Sequence, residues 1–245
     1  MRLRRELRTV NYMSTRGWAT GLMRRLRILT CVFSGFSWDR KETEYGLEGR
    51  GTMTKLTYGN TNTFFIPGSK GGLLVDTDYA GTLQAMYKAL KRSGIQVKDI
   101  AYVLATHYHP DHMGLISQLM EQGVKLLLMD VQKRFVHGSD PIFERDGLPH
   151  RPIEETLATE LSCEESRDFL ARLGISGEII HTPSHSEDSV CLILDDGDCF
   201  VGDLAPYEYL AAYEENVLLK RDWDLVFSHR PRRVFPAHMP ERIVG

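Results

Sequence analysis

Residues 105–114 read ATHYHPDHMG, and this stretch sets His107, His109, Asp111 and His112 within six positions. The whole chain holds nine histidines, so three this close together need a chemical reason. The preceding run, IAYVLAT at 100–106, is almost continuously apolar and reads as a strand buried on both faces. The histidines therefore leave from the C-terminal end of a strand. His107 and His109 stand two apart, a spacing whose side chains share one side of an extended backbone. A helical zinc pair would stand four apart. Pro110 fits the first position of a helix. That puts Asp111 and His112 on the first turn, facing the other way. The run can thus serve two adjacent metal ions, His107 and His109 one of them, Asp111 and His112 the other. Imidazole nitrogen and carboxylate oxygen suit Zn²⁺, Fe or Mn²⁺. No cysteine sits among them, which argues against a closed structural zinc site.

Outward from the cluster, short apolar runs alternate with amphipathic stretches. KLTYG (55–59) and NTFFIP (62–67) read as two strands around a Gly-Asn turn, and GGLLVDTD (71–78) as a third that ends at Asp76 and Asp78. TLQAMYKALKRSG (82–94) has apolar residues at helical spacing and stops at Gly94. GLISQLMEQG (114–123) predicts a helix and VKLLLMD (124–130) a strand. The Pro- and Gly-rich residues 137–158 predict a long loop, a candidate lid. Ser162 and Glu165 have capping-box spacing before a helix ending at Gly174. GEIIHTP (177–183), SVCLILDDG (189–197), DCFVGD (198–203) and RRVFPAH (232–238) predict strands, and YEYLAAYEENVLLKRDW (207–223) a helix. Two sheets with outer helices and some parallel pairing account for this order. His185 follows one of these strands, Asp203 ends another and His238 a third. With the first cluster, four rigid strands each deliver a ligand at their C-terminal ends, where ligands can converge.

The bulk numbers are those of a globular domain: 245 residues, 42% hydrophobic, 26% charged. A net charge of −3 gives no footprint for nucleic acid, and no apolar run reaches the ~20 residues of a membrane span. Cys31, Cys163, Cys191 and Cys199 show no metal or disulfide spacing and read as reduced thiols of a cytoplasmic protein. Residues 1–40 carry nine arginines against Glu6 and Asp39. Residues 1–52 are expected to be a basic, poorly ordered extension, and 53–245 the folded domain. The expected partner is a small-molecule substrate, with no nucleic acid and no membrane; a homodimer is left open.

THYHPDH, with TPSHSEDSV, FVGD and PAH, resembles the metallo-β-lactamase fold superfamily, over about residues 53 to 240. The resemblance implies an α/β fold: a four-layer αβ/βα sandwich of two mixed β-sheets flanked by helices, with the metals at one edge. By position, it makes His107, His109 and His185 ligands of a first metal and Asp111, His112 and His238 ligands of a second. Asp203 becomes the carboxylate bridging both, and Asp76 an acid behind the ligand loop. The sequence departs from the common pattern at DHMGL and TPSHS, beside ligands rather than at them. The implied cofactors are two divalent ions, Zn²⁺ first, with Fe or Mn as alternatives. Two such ions share a hydroxide that attacks the substrate, with Asp111 orienting it and serving as the catalytic acid or base.

The expected reaction is hydrolysis of a small ester, lactone or thioester, with a phosphodiester next. An aspartate at 203 is usual in the thioesterases, lactonases and phosphodiesterases of the superfamily and unusual in its true β-lactam hydrolases. The chain ends soon after His238, so the extra helical domain of glyoxalase II is not expected. A mono-iron, persulfide dioxygenase-like oxidoreductase is the alternative from another class. Tyr207 and His150 are candidate substrate contacts, while His137, His181 and His229 read as core or surface histidines.

Overall fold

In this computed structural model residues 53–210 and 215–244 are described. The extension expected at 1–52 lies outside the described residues. Six strands, β1 (Thr54–Leu56), β2 (Thr63–Ile66), β3 (Gly72–Val75), β4 (Ile100–Leu104), β5 (Lys125–Met129) and β6 (Thr159–Leu161), form the first sheet in that order. The first three pair antiparallel and the last three join in parallel. The second sheet has the order β11 (Arg242–Ile243), β10 (Arg233–Pro236), β9 (Asp198–Gly202), β8 (Val190–Leu194), β7 (Gly177–His181). Its β9–β10 pair is parallel and the others antiparallel.

Successive side chains of a strand point to opposite faces, and that alternation sorts the apolar residues into layers. In β2 and β3, Phe64, Ile66, Leu73 and Val75 join a core with Val190, Leu192, Leu194, Phe200 and Phe235 of the second sheet. Phe65 and Leu74, between them in sequence, join the core on the outer face of the first sheet. Cys191, Ile193, Cys199 and Val201 face outward from the second sheet. The rings of Phe64, Phe200 and Phe235 pin the inter-sheet core, with centroids 4.9 to 5.5 Å apart. Aromatic pairs at such spacing add about 0.5–1.5 kcal/mol each beyond burial.

Helices cover both outer faces. α1 (Leu83–Arg92), α2 (Pro110–Met113), α3 (Ile116–Met120) and α4 (Asp140–Arg145) add Met86, Leu90, Met113, Ile116 and Phe143 to the outer core of the first sheet. α5 (Ser166–Leu173) packs Phe169 and Leu170 into the inter-sheet core, and α6 (Val217–Ser228) packs Leu219, Trp223 and Val226 against the second sheet. The result is the expected four-layer α/β sandwich of two mixed sheets. No helix of the described residues is long and apolar enough to cross a membrane.

Two local expectations are corrected. Residues 137–158 are not a bare loop: they hold α4 and a 3-10 turn at Glu155–Leu157, anchored by the buried Phe143 and Ile153. The helix expected over 207–223 is interrupted. A short 3-10 turn, Tyr207–Tyr209, comes first, and α6 starts anew where Asn216 Oδ1 accepts the Leu219 amide at 2.9 Å. The short edge strands β6 and β11 carried too little periodicity to be foreseen.

Candidate metal centre

The histidine-rich loop leaves β4 under tight restraint. Asp76, at the end of β3, sits at φ 57°, a left-handed conformation unusual for a non-glycine residue. There its buried carboxylate accepts from the Thr106 amide at 2.7 Å and from the Thr106 hydroxyl at 2.9 and 3.0 Å, and lies 3.1 Å from His112 Nδ1. On the other side of His107, Asp188 Oδ2 accepts the Tyr108 amide at 2.6 Å. The Gln132 side chain donates to the carbonyls of Ala105, Thr106 and Asp188. His107 is thus clamped from both flanks. Gly202, at φ 55°, lets the end of β9 approach the same place: a Cβ there would lie 2.5 Å from Thr106 Oγ1. This close approach delivers Asp203.

The donor atoms fall into three overlapping groups: His107, His109 and His185; His107, His112 and Asp203; Asp111, His112 and His238. Within each group all donor atoms lie within 4.8 Å of one another. His109 and His185 approach to 3.3 Å between ring nitrogens. Asp203 links the groups, one oxygen to each side. Its Oδ2 lies 4.0 Å from His107 Nε2 and 3.7 Å from His185 Nε2, and its Oδ1 lies 3.5 Å from His112 Nε2 and 3.3 Å from His238 Nε2. Asp111 Oδ2 lies 3.2 Å from His238 Nε2. Thus His107, His109, Asp111, His112, His185, Asp203 and His238 converge, with Asp76 behind them.

Whether these residues fit metal ions can be judged from their unmet needs. The Nε2 atoms of His107 and His112 are buried and make no well-formed hydrogen bond among the described residues, His112 Nε2 meeting Asp203 Oδ1 only at 3.5 Å. A buried, unpartnered polar atom costs about 1–3 kcal/mol. Two such nitrogens facing a shared carboxylate are what a cation removes from its cost column. The donor set, histidine and carboxylate only, fits Zn²⁺, Mn²⁺ or Fe.

Protonation differs across the cluster. Burial, reinforced by the neighbouring His112, pushes His107 well below the ordinary imidazole range. Burial also lowers His185, although Asp203 pulls the other way. Burial opposes charge on His112 too, but the carboxylates of Asp76 and Asp203 outweigh it and raise it to about 10. His238 is raised to about 11 by Asp111 and Asp203. Burial alone would raise Asp203, yet His112 and His238 hold it far below the usual carboxylate range. Asp111 is lowered by His238 and His112 against the same burial effect.

The two candidate substrate contacts have other neighbours. His150 Nε2 pairs with Asp140 at 2.8 Å and its ring stacks on Phe143 at 4.2 Å. The Tyr207 ring packs edge-on against Trp223 and Phe227 at 5.5 and 5.6 Å. His137 pairs with Asp140, His181 with the Glu187 carbonyl and His229 with Glu178. Sequence reasoning passed over Asp188, Gln132 and Asp222. The fully buried Asp222 accepts the Ser184 amide at 2.7 Å, next to His185. Its signal was present: in α6 it falls at helical spacing among Leu219, Trp223 and Val226, an acid on an apolar face.

The sequence profile of the Metallo-beta-lactamase superfamily matches residues 56–238. A curated relative, "Beta-lactamase-like protein 2 homolog" of Drosophila melanogaster, is 26% identical over 75% of this chain and 60% of its own length. An "Atrochrysone carboxyl ACP thioesterase" of Passalora fulva is 29% identical over 58% of this chain and 36% of its own. The chain therefore spans 60% or less of either relative. Among solved structures, TTHA1623 in a di-iron-bound form superposes with a TM-score of 0.59 at 22% identity, covering 79% of this chain and 94% of that one.

Proposed function

The chain belongs to the metallo-β-lactamase superfamily, and on that premise we propose that it is a hydrolase using two divalent metal ions to cleave a small ester, lactone or thioester. The observation that carries this reading is the Asp203 carboxylate with one oxygen toward each histidine pair. A tetrahedral ion takes about four ligands. Seven donor residues built around one shared carboxylate exceed that number and match two ions.

His107, His109 and His185 would hold one ion, Asp111, His112 and His238 the other, and Asp203 both. When bound, such ions supply a water ionised near neutral pH and polarise the substrate carbonyl. The chain's own residues do the rest. Asp76 holds His112 through Nδ1, so that Nε2 faces the centre. Asp111, kept ionised by its neighbours and about one-third exposed, can accept a proton at its carboxylate and return it to the leaving group. We rank thioesters first in the substrate series because a thioesterase is among the relatives. The di-iron neighbour keeps iron beside zinc and manganese as the metal.

The test is elemental analysis of the purified chain, followed by a panel of thioesters, lactones, esters and phosphodiesters. About two metal ions per chain, with hydrolysis lost on chelation and restored by metal, is the expected result. About one iron with oxygen uptake on a persulfide would overturn it in favour of sulfur oxidation. Turnover of phosphodiesters alone would keep the metal reading and replace the substrate class.

A further inference from the structure

We propose that the β1–β2 turn, Gly59–Asn62, is the positioning element of the second ligand group, fixing His238 and Asp111 against Asp203; this rests on the two-ion reading above. The sequence marks this segment only as a turn between two strands. In the structure its four residues reach two separate ligand-bearing segments and the end of β3.

The Asn60 carbonyl lies 3.1 Å from His238 Nδ1. A carbonyl can only accept, so Nδ1 carries the proton and donates it. That leaves Nε2 as the ring atom directed at Asp111 and Asp203, 3.2 and 3.3 Å away. An outer hydrogen bond of this kind sets both tautomer and ring orientation of a metal-binding histidine. The Asn60 amide in turn donates to the buried carboxylate of Asp78, just after β3. Gly59 makes room for that carboxylate, since a Cβ there would lie 1.1 Å from Asp78 Oδ2.

The next two residues hold the other pieces. Thr61, 1% exposed, donates its hydroxyl to the Asp111 carbonyl at 2.7 Å. Asn62 brackets His238: its amide donates to the Ala237 carbonyl at 2.7 Å, and its side chain to the carbonyls of Pro236 and Met239, both at 2.9 Å. The segments so joined lie about 50 and 175 residues away in sequence. The bonds from Asn62 also cross from the first sheet to the end of β10 in the second. Among the described residues no hydrogen bond of this turn reaches His107, His109 or His185, so its effect falls on one group.

The proposal is tested with full-length chain stripped of metal and titrated with Zn²⁺ against a competing chelator, with Co²⁺ absorption as a second readout. Thr61→Val removes the hydroxyl at nearly constant volume, Thr61→Ser restores it, and Asn62→Asp replaces both side-chain donors. In Thr61→Val and Asn62→Asp one ion is expected to bind as in the unaltered chain and the other about 10–100-fold more weakly, the range for losing an outer partner of a metal ligand. Thr61→Ser recovers most of that loss. A merely structural turn would lower the melting temperature and weaken both ions alike; that outcome, or two unchanged affinities, overturns the proposal. Should the unaltered chain take up one ion only, the two-ion reading fails, and the turn is judged on that ion: tenfold weakening in Thr61→Val supports it and unchanged affinity overturns it. If Asn62→Asp does not fold, the Thr61 pair decides alone.

Discussion

The two candidate ligand groups lie side by side yet are prepared for a cation in opposite ways. His107, His109 and His185 face one another, with ring centroids 4.4 to 5.0 Å apart, and burial disfavours charge on His107 and His185. The imidazoles of His107 and His185 are thereby biased toward the neutral, acceptor form. His112 and His238 lie against Asp76, Asp111 and Asp203, which draw protons onto them. An ion entering the second group must displace those protons; one entering the first need not. The difference teaches that ligand identity alone does not set how a histidine site behaves, because the flanking carboxylates decide whether the proton or the metal is the resting partner.

Asp203→Ala should have the largest effect, since it removes the one residue common to both groups. Losing an outer partner of a ligand costs about 10–100-fold in metal affinity, so losing a shared donor should cost at least about 100-fold at both ions. Zinc titration measures it. Loss at one ion alone would break the symmetry seen in the two carboxylate oxygens.

Asp188→Ala comes next and sharpens the comparison from the other side. It removes the acceptor of the Tyr108 amide, one clamp on His107. The first ion should weaken by about 10–100-fold and the second by far less, the mirror image of what the β1–β2 turn predicts. Equal weakening of both ions would mean that the groups are not separately supported.

The stability of metal-stripped protein should show the same opposition through pH. His112 and His238 have folded values above the ordinary value of about 6.5. Their contribution is complete below pH ~6.5 and is lost as pH rises toward 10 and 11. His107 and His185 are lowered, so the unfolded chain binds more protons there and their contribution is lost as pH falls below ~6.5. Asp203 and Asp111, also lowered, add a further loss below about pH 4. Denaturant midpoints should therefore peak between about pH 6 and 7. In His238→Gln the alkaline decline should shrink while the acid decline remains; loss of both arms would count against the division.

How much of this was legible in sequence depended on whether the signal was local. His107, His109, Asp111 and His112 sit in one short run, and the strands that deliver His185, Asp203 and His238 announce themselves by short apolar runs. The alternation of Phe64, Phe65 and Ile66 between two cores follows directly from strand geometry. What supports the ligands was hidden because it is contact across distance. Gln132 reaches three carbonyls from a 3-10 turn after β5, and nothing in its neighbourhood marks it. Residues 137–158 looked like loop because Gly138, Pro141 and Gly147 punctuate them, whereas the widely spaced Phe143 and Ile153 are buried in the core and seat the segment. The helix read across 207–223 failed for the opposite reason: its composition is helical throughout, but the cap at Asn216 restarts it.

Tyr207→Phe should have the smallest effect and tests how far the site extends past Asp203. The ring is accounted for by Trp223 and Phe227, and phenylalanine keeps both contacts. Stability should change by less than about 0.5 kcal/mol. One hydrogen bond from the hydroxyl to a bound substrate would be worth about 0.5–1.5 kcal/mol, or up to about tenfold in kcat/KM. The packing favours a change within about twofold, well inside that range. A tenfold fall in kcat/KM with the melting temperature unchanged would instead place the phenol on the substrate. It would also add a polar contact on the Asp203 side that neither histidine group supplies.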